Sequence, residues 1–349
     1  MLPEASRAAA EVLLQQSGFG PILHSEQLAG GANNRVFRVE TAQGNTALKI
    51  YFYHPDDPRD RLNAEYSFSR VAWDHGIREI PQPLAADRAS RIGLYEYVHG
   101  RRATSEEIDD DAVEQAVAFF ASLNAEKLRA SATALPNASE ACFSLAGHLK
   151  TVSRRIDRLA ATAPAGPLDQ EMLDFVQGEL QPGWQRTEDA VRRGAISQRI
   201  GMEEEDLSSR AISPSDFGFH NALRGSDGRF RFIDFEYAGW DDLGRVVGDF
   251  FNQVMVPVPM KYYRRFADEV ASLFPHPQRN RAKFDLLLPV YTMKWATIVL
   301  NEFLPAGNSR REFAAETVDA ADARKRIQLK KARAAFARLD GVLYAADRG

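Results

Sequence analysis

The sequence predicts an α+β protein with two lobes, a small antiparallel β-rich N-terminal lobe and a larger, mostly helical C-terminal lobe. Apolar and polar residues alternate along two early segments, 35–40 and 46–52, which is the period of strands. Further along, apolar residues recur with the period of helices almost to the C-terminus. The chain has 349 residues, more than one small core needs. We therefore expect two lobes, residues 1–98 and 99–349.

The composition is that of an ordinary globular protein without a basic surface. The net charge of −4 gives no reason to expect a nucleic-acid or membrane-surface partner. The single cysteine, Cys142, excludes an intrachain disulfide and a cysteine-based metal site, which favours a reducing, cytoplasmic setting. The N-terminus lacks the pattern of a signal peptide. The most apolar segment, Phe284–Leu300, contains charged residues and Pro289, so we expect a buried helix and no membrane span.

In the N-terminal lobe, glycine and asparagine turns separate the periodic segments. Helix-favouring residues begin at Glu4, and Gly18 ends that segment. Gln43–Asn45 is a turn between the two alternating segments, which makes them an antiparallel meander. The expected elements of this lobe are a helix over 4–16, strands over 35–40 and 46–52, a helix over 59–75 and a strand over 92–98.

In the C-terminal lobe, one hairpin interrupts a succession of helices. Thr104 and Glu107 have the spacing of a capping box, which begins a helix that runs to Leu123. The turn residues Gly225–Gly228 separate short strands over 222–223 and 229–233. The other expected helices lie at about 140–160, 168–180, 185–200, 259–273, 281–303 and 311–345.

Polar residues flank this hairpin on both sides. Asp216 and Asn221 precede its first strand and Asp234 ends its second, so the three side chains should gather at one end of a small sheet. An Asn and an Asp from different segments suit Mg²⁺, and a separate Asp can orient and deprotonate a hydroxyl. This order of residues is typical of the phosphoryl-transfer core of protein-kinase-like enzymes. The alternative is a surface hairpin with ordinary turn acids.

Two patterns in the N-terminal lobe agree with a nucleotide site. A glycine-rich turn precedes the first strand of the meander and contains Gly30, Gly31, Asn33 and Asn34; such turns let backbone N–H groups approach phosphates, although an ordinary hairpin connection has the same composition. Lys49 lies within an apolar strand, and Glu65 follows on the next helix. A strand lysine paired with a helix glutamate binds phosphates in kinases. The alternative is a lysine that faces solvent at a sheet edge.

Together these residues resemble the aminoglycoside phosphotransferase/choline kinase-like family, a branch of the protein-kinase-like fold. The resemblance covers about residues 25–304 and is strongest over 215–249. There, Asp216-x4-Asn221-x12-Asp234 is similar to the family's catalytic and metal-binding loops. Asp249 resembles a downstream Asp that the family uses structurally.

The resemblance implies a nucleotide-binding N-terminal lobe and a catalytic, substrate-binding C-terminal lobe. It implies that Asp216 is the catalytic base and that Asn221 and Asp234 hold Mg²⁺. The co-substrate would be ATP or GTP, with the glycine-rich turn covering its phosphates. The other implied nucleotide contacts are Lys49, braced by Glu65, and the backbone of Glu96 and Val98 at the adenine.

One departure from the family concerns the catalytic loop. The family usually has His-Gly-Asp where this chain has Pro214-Ser215-Asp216. That histidine normally braces the loop, so other packing must replace it here. The departure leaves a nucleotide-binding pseudokinase, acting as a scaffold or sensor, as an alternative function. A weaker alternative is a sugar or amino-alcohol binding protein without nucleotide chemistry.

The sequence leaves the phosphate acceptor open among a sugar, an amino sugar, an amino alcohol and an antibiotic. Candidate contacts in the C-terminal lobe are Glu236, His220, Trp295 and Glu302. A structural hydrogen bond for His220, core packing for Trp295 and a surface position for Glu302 are the alternatives. The acidic run 203–206 is a solvated loop or an attractor for a cationic substrate. The sequence does not indicate an oligomeric state.

Overall fold

The computed structural model describes residues 2–28, 34–55, 57–203, 209–304 and 319–346. Its N-terminal lobe has a five-stranded antiparallel sheet in the order β1-β2-β3-β5-β4. The strands are β1 (His24–Gln27), β2 (Arg35–Thr41), β3 (Gly44–Ile50), β4 (Pro83–Asp87) and β5 (Ile92–Glu96). Two helices complete the lobe, α1 (Glu4–Gln16) and α2 (Arg61–Asp74).

The core of this lobe follows from the alternation along its strands. Phe37 and Val39 of β2 are fully buried, and so is Leu48 of β3, which pairs with Leu94 of β5. Leu14 of α1 packs against the same cluster. The predicted meander is therefore confirmed. β1 was not predicted, because its four residues, His-Ser-Glu-Gln, contain no apolar residue.

The C-terminal lobe is mostly helical, as predicted. A two-residue strand, β6 (Arg101–Arg102), leads into it from the linker. The first helices are α3 (Asp110–Leu123), α4 (Glu126–Ser131), α5 (Leu145–Ala160), α6 (Pro167–Phe175) and α7 (Gln181–Ser197). The chain stays helical from α6 to α7 through a π turn at Val176–Leu180, so the separation expected near 181–184 was wrong. Pro182 lies just after this π turn, and its missing N–H removes one hydrogen bond from the continuous helix.

The segment that contains the predicted catalytic residues, named the catalytic segment for that prediction, lies between α7 and the last helices. It contains the strands β7 (Arg210–Ser213), β8 (Ala222–Arg224), β9 (Phe230–Phe232) and β10 (Gly239–Asp242). β8 pairs with β9 and with β6, which confirms the predicted hairpin and joins it to the linker. The helices that follow are α8 (Leu243–Asn252), α9 (Tyr263–Ser272), α10 (Pro277–Val299), α11 (Asp319–Phe336) and α12 (Leu339–Ala346).

α8 was not predicted, and it lies at the centre of the lobe. All ten of its residues are buried, including the polar Arg245, Asp249 and Asn252, which share one face of the helix. Asp242 caps its N-terminus by accepting a hydrogen bond from Gly244 N. Phe250 of α8 packs against Phe217 and Phe219 of the catalytic segment. This aromatic cluster anchors the segment to the helices.

The expected buried helix at 281–303 is confirmed as α10 followed by a 3₁₀ turn at Leu300–Phe303. Among the described residues, no helix is long and apolar enough to cross a bilayer. The loop over 305–307 and the start of the helix expected from residue 311 lie outside the described residues. The acidic run lies outside them from Glu204 onward.

Candidate active site

Lys49 links the two lobes through a buried ion-pair cluster. Its ammonium donates to Glu65 Oε2 over 2.6 Å and also bonds Asp234 Oδ1 of the C-terminal lobe. Tyr51 donates a second hydrogen bond to Glu65. Burial alone would lower the pKa of Lys49, but Asp234 and Glu65 raise it well above its ordinary value. Lys49 is therefore a fixed cation, and it stands beside the predicted metal ligand.

Glu236 connects the C-terminal lobe to Asn34 and Arg61 of the N-terminal lobe. Its Oε2 accepts a hydrogen bond from Asn34 Nδ2 over 2.6 Å and lies 3.3 Å from Arg61 Nε. Asn34 Oδ1 also accepts from Phe52 N. Both Asn34 and Glu236 are buried, which favours a lobe-joining role for Glu236 over the predicted substrate contact. Gly30, Gly31 and Asn33 lie outside the described residues.

Asp216 is held at the tip of the catalytic loop by the residues that follow it. Asn221 donates from Nδ2 to the backbone oxygen and to Oδ2 of Asp216, over 3.0 and 3.1 Å. His220 Nε2 lies 3.1 Å from Oδ1, and a carboxylate only accepts, so this nitrogen carries the proton. His220 thus makes a structural hydrogen bond, which was the alternative to a substrate contact. The Asp216 side chain is 36 % exposed and faces the interlobe cavity.

The electrostatics around Asp216 favour its charged form. Burial would raise the pKa of this carboxyl, but His220, Asn221 and Lys294 together hold it below its ordinary value. An ionised Asp216 can accept a hydrogen bond from a hydroxyl and then its proton.

Arg245 of α8 braces the catalytic loop from below. Its guanidinium donates to Ser215 Oγ over 2.9 Å, to the Ser139 carbonyl over 2.5 Å and to Asp249 Oδ2 over 3.2 Å. Ser215 N donates to Ser213 Oγ over 2.8 Å. These bonds fix Ser215, the residue next to Asp216. They support the loop at the place where the family's bracing histidine is replaced by Pro214. Sequence reasoning missed Arg245, although a charged residue four positions before Asp249 in an apolar segment is a usable signal.

Asp249 accepts the other hydrogen bonds that support the loop. Lys294 Nζ lies 2.9 and 3.0 Å from its two oxygens, and Trp295 Nε1 donates to Oδ1 over 2.8 Å. The Trp295 ring meets His220 edge-on at 6.2 Å. The predicted Trp295 is therefore both packed in the core and positioned against the loop that carries Asp216.

The groups of the C-terminal lobe line one interlobe cavity of about 670 Å³, whereas the predicted Lys49, Glu65 and Asn34 are not part of its lining. The cavity brings together Asp216, His220, Asn221, Asp234, Glu236, Trp295 and Glu302 of the predicted site residues. Glu302 is buried and pairs with Arg324 over 3.2 Å, so the alternative of a surface position is wrong, and its contact with a substrate stays a prediction. Among the described residues, the lining does not include Glu96 or Val98, whose adenine contacts stay a prediction. Glu96 pairs with Thr46 on β3 and exchanges hydrogen bonds with Gln82.

The chemistry of the donors at the cavity fits Mg²⁺ bound with a nucleotide. Asn221 uses its amide nitrogen toward Asp216, which leaves its amide oxygen for a ligand. Asp234 bonds Lys49 with one oxygen, and its side chain is 40 % exposed to the cavity. In the described part of the chain, no group of three or more His, Cys, Asp or Glu side chains could hold a metal alone. A magnesium ion here would need phosphate oxygens to complete its coordination, which is its usual preference.

Comparison with known proteins agrees with this geometry. Residues 24–282 match the model of the phosphotransferase enzyme family. A search of curated proteins finds no significant match. Among solved structures, a choline/ethanolamine kinase family protein from Mesorhizobium loti is similar at 20% identity, with coverage of 99% of this chain and 98% of that one and a TM-score of 0.59.

Two further structures share the fold. A spectinomycin phosphotransferase in complex with ADP and spectinomycin has 13% identity and a TM-score of 0.58, with coverage of 98% of both chains. A choline kinase from Streptococcus pneumoniae has 15% identity and a TM-score of 0.55, with coverage of 94% of this chain and 99% of that one. The predicted two-lobe, protein-kinase-like fold is thereby confirmed.

Proposed function

The chain belongs to the phosphotransferase enzyme family and is therefore a phosphotransferase, and we propose that it is a small-molecule kinase that transfers the γ-phosphate of ATP or GTP to a hydroxyl. The acceptor is a sugar, an amino sugar, an amino alcohol or an antibiotic. One observation carries the proposal: Asp216 and Asp234 face one cavity, and Asp234 is bonded to the buried Lys49. The ADP and spectinomycin bound to one similar protein support this pair of ligands.

Lys49 and the metal ligands act on the nucleotide. Lys49 pairs with the α- and β-phosphates, and Glu65 fixes its ammonium in place. Asn221 and Asp234 would hold Mg²⁺ through oxygen atoms. When bound, the ion neutralises charge on the phosphates. This division leaves Asp216 free for the acceptor.

Asp216 acts on the acceptor hydroxyl. Its carboxylate accepts a hydrogen bond from the hydroxyl, aims the oxygen at the γ-phosphorus and receives the proton as the new O–P bond forms. The bond from that phosphorus to the leaving diphosphate breaks in the same displacement. Positioning and charge stabilisation supply most of the acceleration in such transfers.

The brace under Ser215 weighs against the pseudokinase alternative. That alternative rested on the loss of the loop histidine at Pro214. Arg245 supplies a hydrogen-bonded support to the same loop, with Asp249 and Lys294 behind it. The loop therefore has what it needs to hold Asp216 toward the cavity.

Replacing Asp216 tests the proposal. We expect Asp216→Asn to lower kcat by about 10²–10⁴-fold with nucleotide affinity and fold retained, because the amide cannot accept the proton. ADP release with a panel of hydroxylated acceptors measures turnover, and thermal shift with Mg-ATP measures binding. Asp227→Asn, an exposed acid in the turn of the same hairpin, is the matched control. Unchanged turnover in Asp216→Asn with normal nucleotide affinity would refute the proposal.

A further inference from the structure

Contacts from three parts of the fold hold His220 beside the catalytic loop. Arg102, on the short strand β6 that follows the linker, donates from Nη1 to the His220 carbonyl over 2.9 Å. Trp295 of α10 meets the imidazole ring edge-on. Gly218, two positions before His220 in the same loop, lies against the ring nitrogen Nδ1. Together these contacts fix the side chain whose Nε2 bonds Asp216 Oδ1.

Gly218 gives the ring the space that it occupies. A Cβ on Gly218 would lie 2.8 Å from His220 Nδ1, 3.0 Å from His220 Cε1 and 3.2 Å from Gln253 Cγ. These distances are well inside the optimal non-bonded separation of about 3.5–4 Å, so a larger residue must displace a neighbour. The backbone itself is extended, with φ 165°, which any residue adopts. The position therefore requires glycine for space and not for conformation.

The surroundings of Gly218 leave the imidazole as the group that would move. The residues on either side, Phe217 and Phe219, are buried in the aromatic cluster on α8, which holds the loop backbone in place. Gln253 is fully buried and accepts two backbone hydrogen bonds within its own turn, so its position is fixed as well. A methyl group added at Gly218 would therefore push the His220 ring away from the catalytic carboxylate.

The environment of the ring also selects its tautomer. His220 Nδ1 is buried and has no hydrogen-bond partner among the described residues. A proton on Nδ1 would be a buried donor without an acceptor, which is costly. The ring is therefore neutral, with its proton on Nε2, where it donates to Asp216. In this form His220 supports the carboxylate without competing for the proton of the acceptor hydroxyl.

Two donors of this loop set the orientation of the Asp216 carboxylate. His220 Nε2 donates to Oδ1, and Asn221 Nδ2 donates to Oδ2. Each carboxylate oxygen has two acceptor sites, so each keeps one for the hydroxyl of the acceptor. With both oxygens bonded, rotation of the carboxylate is restricted. Phosphoryl transfer depends on such positioning, and a misplacement of about 1 Å can cost on the order of a hundredfold in rate.

We infer that Gly218 and Arg102 are positioning residues of the transfer reaction, which act through His220 to hold the Asp216 carboxylate toward the acceptor hydroxyl. The inference rests on the proposed kinase function and deepens it. Arg102 fixes the backbone of His220, and Gly218 fixes its ring. The brace at Arg245 supports the loop before the carboxylate, whereas this second support bonds the carboxylate itself.

Gly218→Ala tests the ring contact in the full chain. We expect kcat, measured as ADP release with the acceptor of the panel that turns over fastest, to fall on the order of 10–100-fold. KM for Mg-ATP should stay constant, because the nucleotide side is untouched. Gly166→Ala is the matched control. Gly166 has the same extended backbone, with φ −168°, but open space where its Cβ would lie, so this variant should change neither quantity.

His220 and Arg102 are tested by pairs of variants that remove or keep a donor. His220→Gln keeps an N–H group close to the position of Nε2 and should retain more turnover than His220→Leu. Arg102→Met should lower kcat by about threefold to tenfold, the usual worth of one hydrogen bond, and Arg102→Lys should retain most of it. Arg101→Met, the exposed neighbour on β6 that pairs with Glu107 outside the cavity, is the control.

A double-mutant cycle shows whether these residues act through Asp216. In an Asp216→Asn background, Gly218→Ala and Arg102→Met should have little further effect on kcat, because the group that they position is already lost. Equal fold losses in the two backgrounds would mean that both residues support the fold in general, and this result would overturn the inference.

NMR of the histidine side chains gives a readout that does not depend on turnover. His220→Gln identifies the signals of His220. We expect a ring protonated on Nε2 alone in the wild type, and exchange between the two tautomers in Gly218→Ala, whose ring has lost its partner. A wild-type ring protonated on Nδ1, or identical His220 signals in the two proteins, would overturn the inference.

The outcomes separate the inference from the function beneath it. Wild-type kcat in Gly218→Ala overturns the inference and leaves the kinase function standing. Absence of both ADP release and any thermal shift with Mg-ATP in the wild type contradicts the proposed function itself.

Discussion

Two buried charge clusters flank the cavity. We expect the acting cluster to contact the nucleotide phosphates and the holding cluster to fix the position of the loop that carries Asp216. On the nucleotide side, one cation, Lys49, is shared by Glu65 and Asp234. On the acceptor side, one acid, Asp249, is shared by Arg245 and Lys294. The clusters are thus opposite in sign at their centres, although both are assembled from helices and strands distant in the chain.

Their exposure distinguishes the two roles. The Asp234 side chain is 40% exposed to the cavity, so the nucleotide-side cluster keeps one group available for a ligand. The side chains of Arg245, Asp249 and Lys294 are each 7% exposed or less. A closed cluster of this kind fixes geometry, because breaking it would leave a buried charge uncompensated. Substitutions should therefore affect phosphate chemistry on one side and loop position or stability on the other.

Removing Lys49 should give the largest effect and tests the acting side. Lys49→Met is expected to lower kcat/KM for the nucleotide on the order of 10²–10³-fold, because the charge next to the phosphates is lost. Glu65 and Asp234 are then left without their shared cation, so the melting temperature should fall as well. Steady-state kinetics with varied Mg-ATP measures the first effect and thermal unfolding the second.

Lys150→Met is the control for this prediction, since Lys150 is an exposed lysine on α5. It should change neither quantity beyond the small effect of an ordinary surface substitution. If Lys49→Met kept the wild-type kcat/KM, Lys49 would serve the structure and not the nucleotide. The two clusters would then have the same role.

The acting cluster could be predicted from the sequence, whereas of the holding cluster only Asp249 was indicated, by the family resemblance. Lys49 sits in an alternating strand and Glu65 follows on the next helix, so local patterns placed both before any contact was known. Arg245 lies in a fully buried helix, and its four-residue spacing from Asp249 indicates a helical face but not what that face supports. Its partner Ser139 lies 106 positions away in the chain. Contacts of that separation are fixed by tertiary packing, which local pattern does not encode.

The same distinction explains two site residues whose partners the sequence did not show. A surface position was the alternative for Glu302, because Glu is rarely buried without a partner. Its partner, Arg324, lies on α11, 22 residues further on. Glu236 follows Asp234 so closely that a ligand contact was the natural expectation, yet its partners Asn34 and Arg61 come from the other lobe. In both cases the local sequence pattern did not show the partner, which is a cation or an amide elsewhere in the chain.

The pH dependence of stability tests a further buried charged group of the C-terminal lobe, His148. This buried residue of α5 lies 3.4 Å from Asp242 and accepts or donates a bond with Tyr291 over 2.8 Å. Burial alone would lower its pKa, but Cys142 and Asp242 raise the pKa of His148 to about 9. The unfolded value is near 6.5. The extra stability is complete below about pH 6.5 and is lost as the pH rises through 9.

We expect His148 to lower the free energy of unfolding by about 1–3 kcal/mol between pH 6.5 and 9; the lowered pKa of Cys142 offsets part of this fall, because a thiol whose pKa is lowered by folding contributes with the opposite sign. Urea unfolding at several pH values measures it. His148→Gln should flatten the dependence, and Cys142→Ser should weaken it, because Cys142 is the first of the groups that raise the pKa. A slope that persists unchanged in His148→Gln would assign the pH dependence to other residues.

The smallest expected effect concerns Ser215, where the brace meets the catalytic loop. Ser215 has φ +68°, a left-handed conformation that costs a side chain about 1–2 kcal/mol and glycine almost nothing. Its hydroxyl accepts from Arg245, which offsets that cost. Both variants, Ser215→Ala and Ser215→Gly, lose this hydroxyl, but only Ala keeps the backbone strain. Ser215→Ala should therefore be less stable than Ser215→Gly by about 1 kcal/mol.

Chemical unfolding of the two variants beside wild type decides the point, with the exposed turn residue in Ser226→Ala as control. The wild type should be the most stable of the three, because it alone retains the bond to the buried guanidinium. Turnover should fall in both variants while nucleotide affinity stays constant, since the brace positions Asp216 and does not contact the phosphates. If Ser215→Gly were less stable than Ser215→Ala, backbone strain would not be what the hydroxyl offsets. If turnover were unchanged in both, Arg245 would stabilise the fold without positioning the loop that carries Asp216.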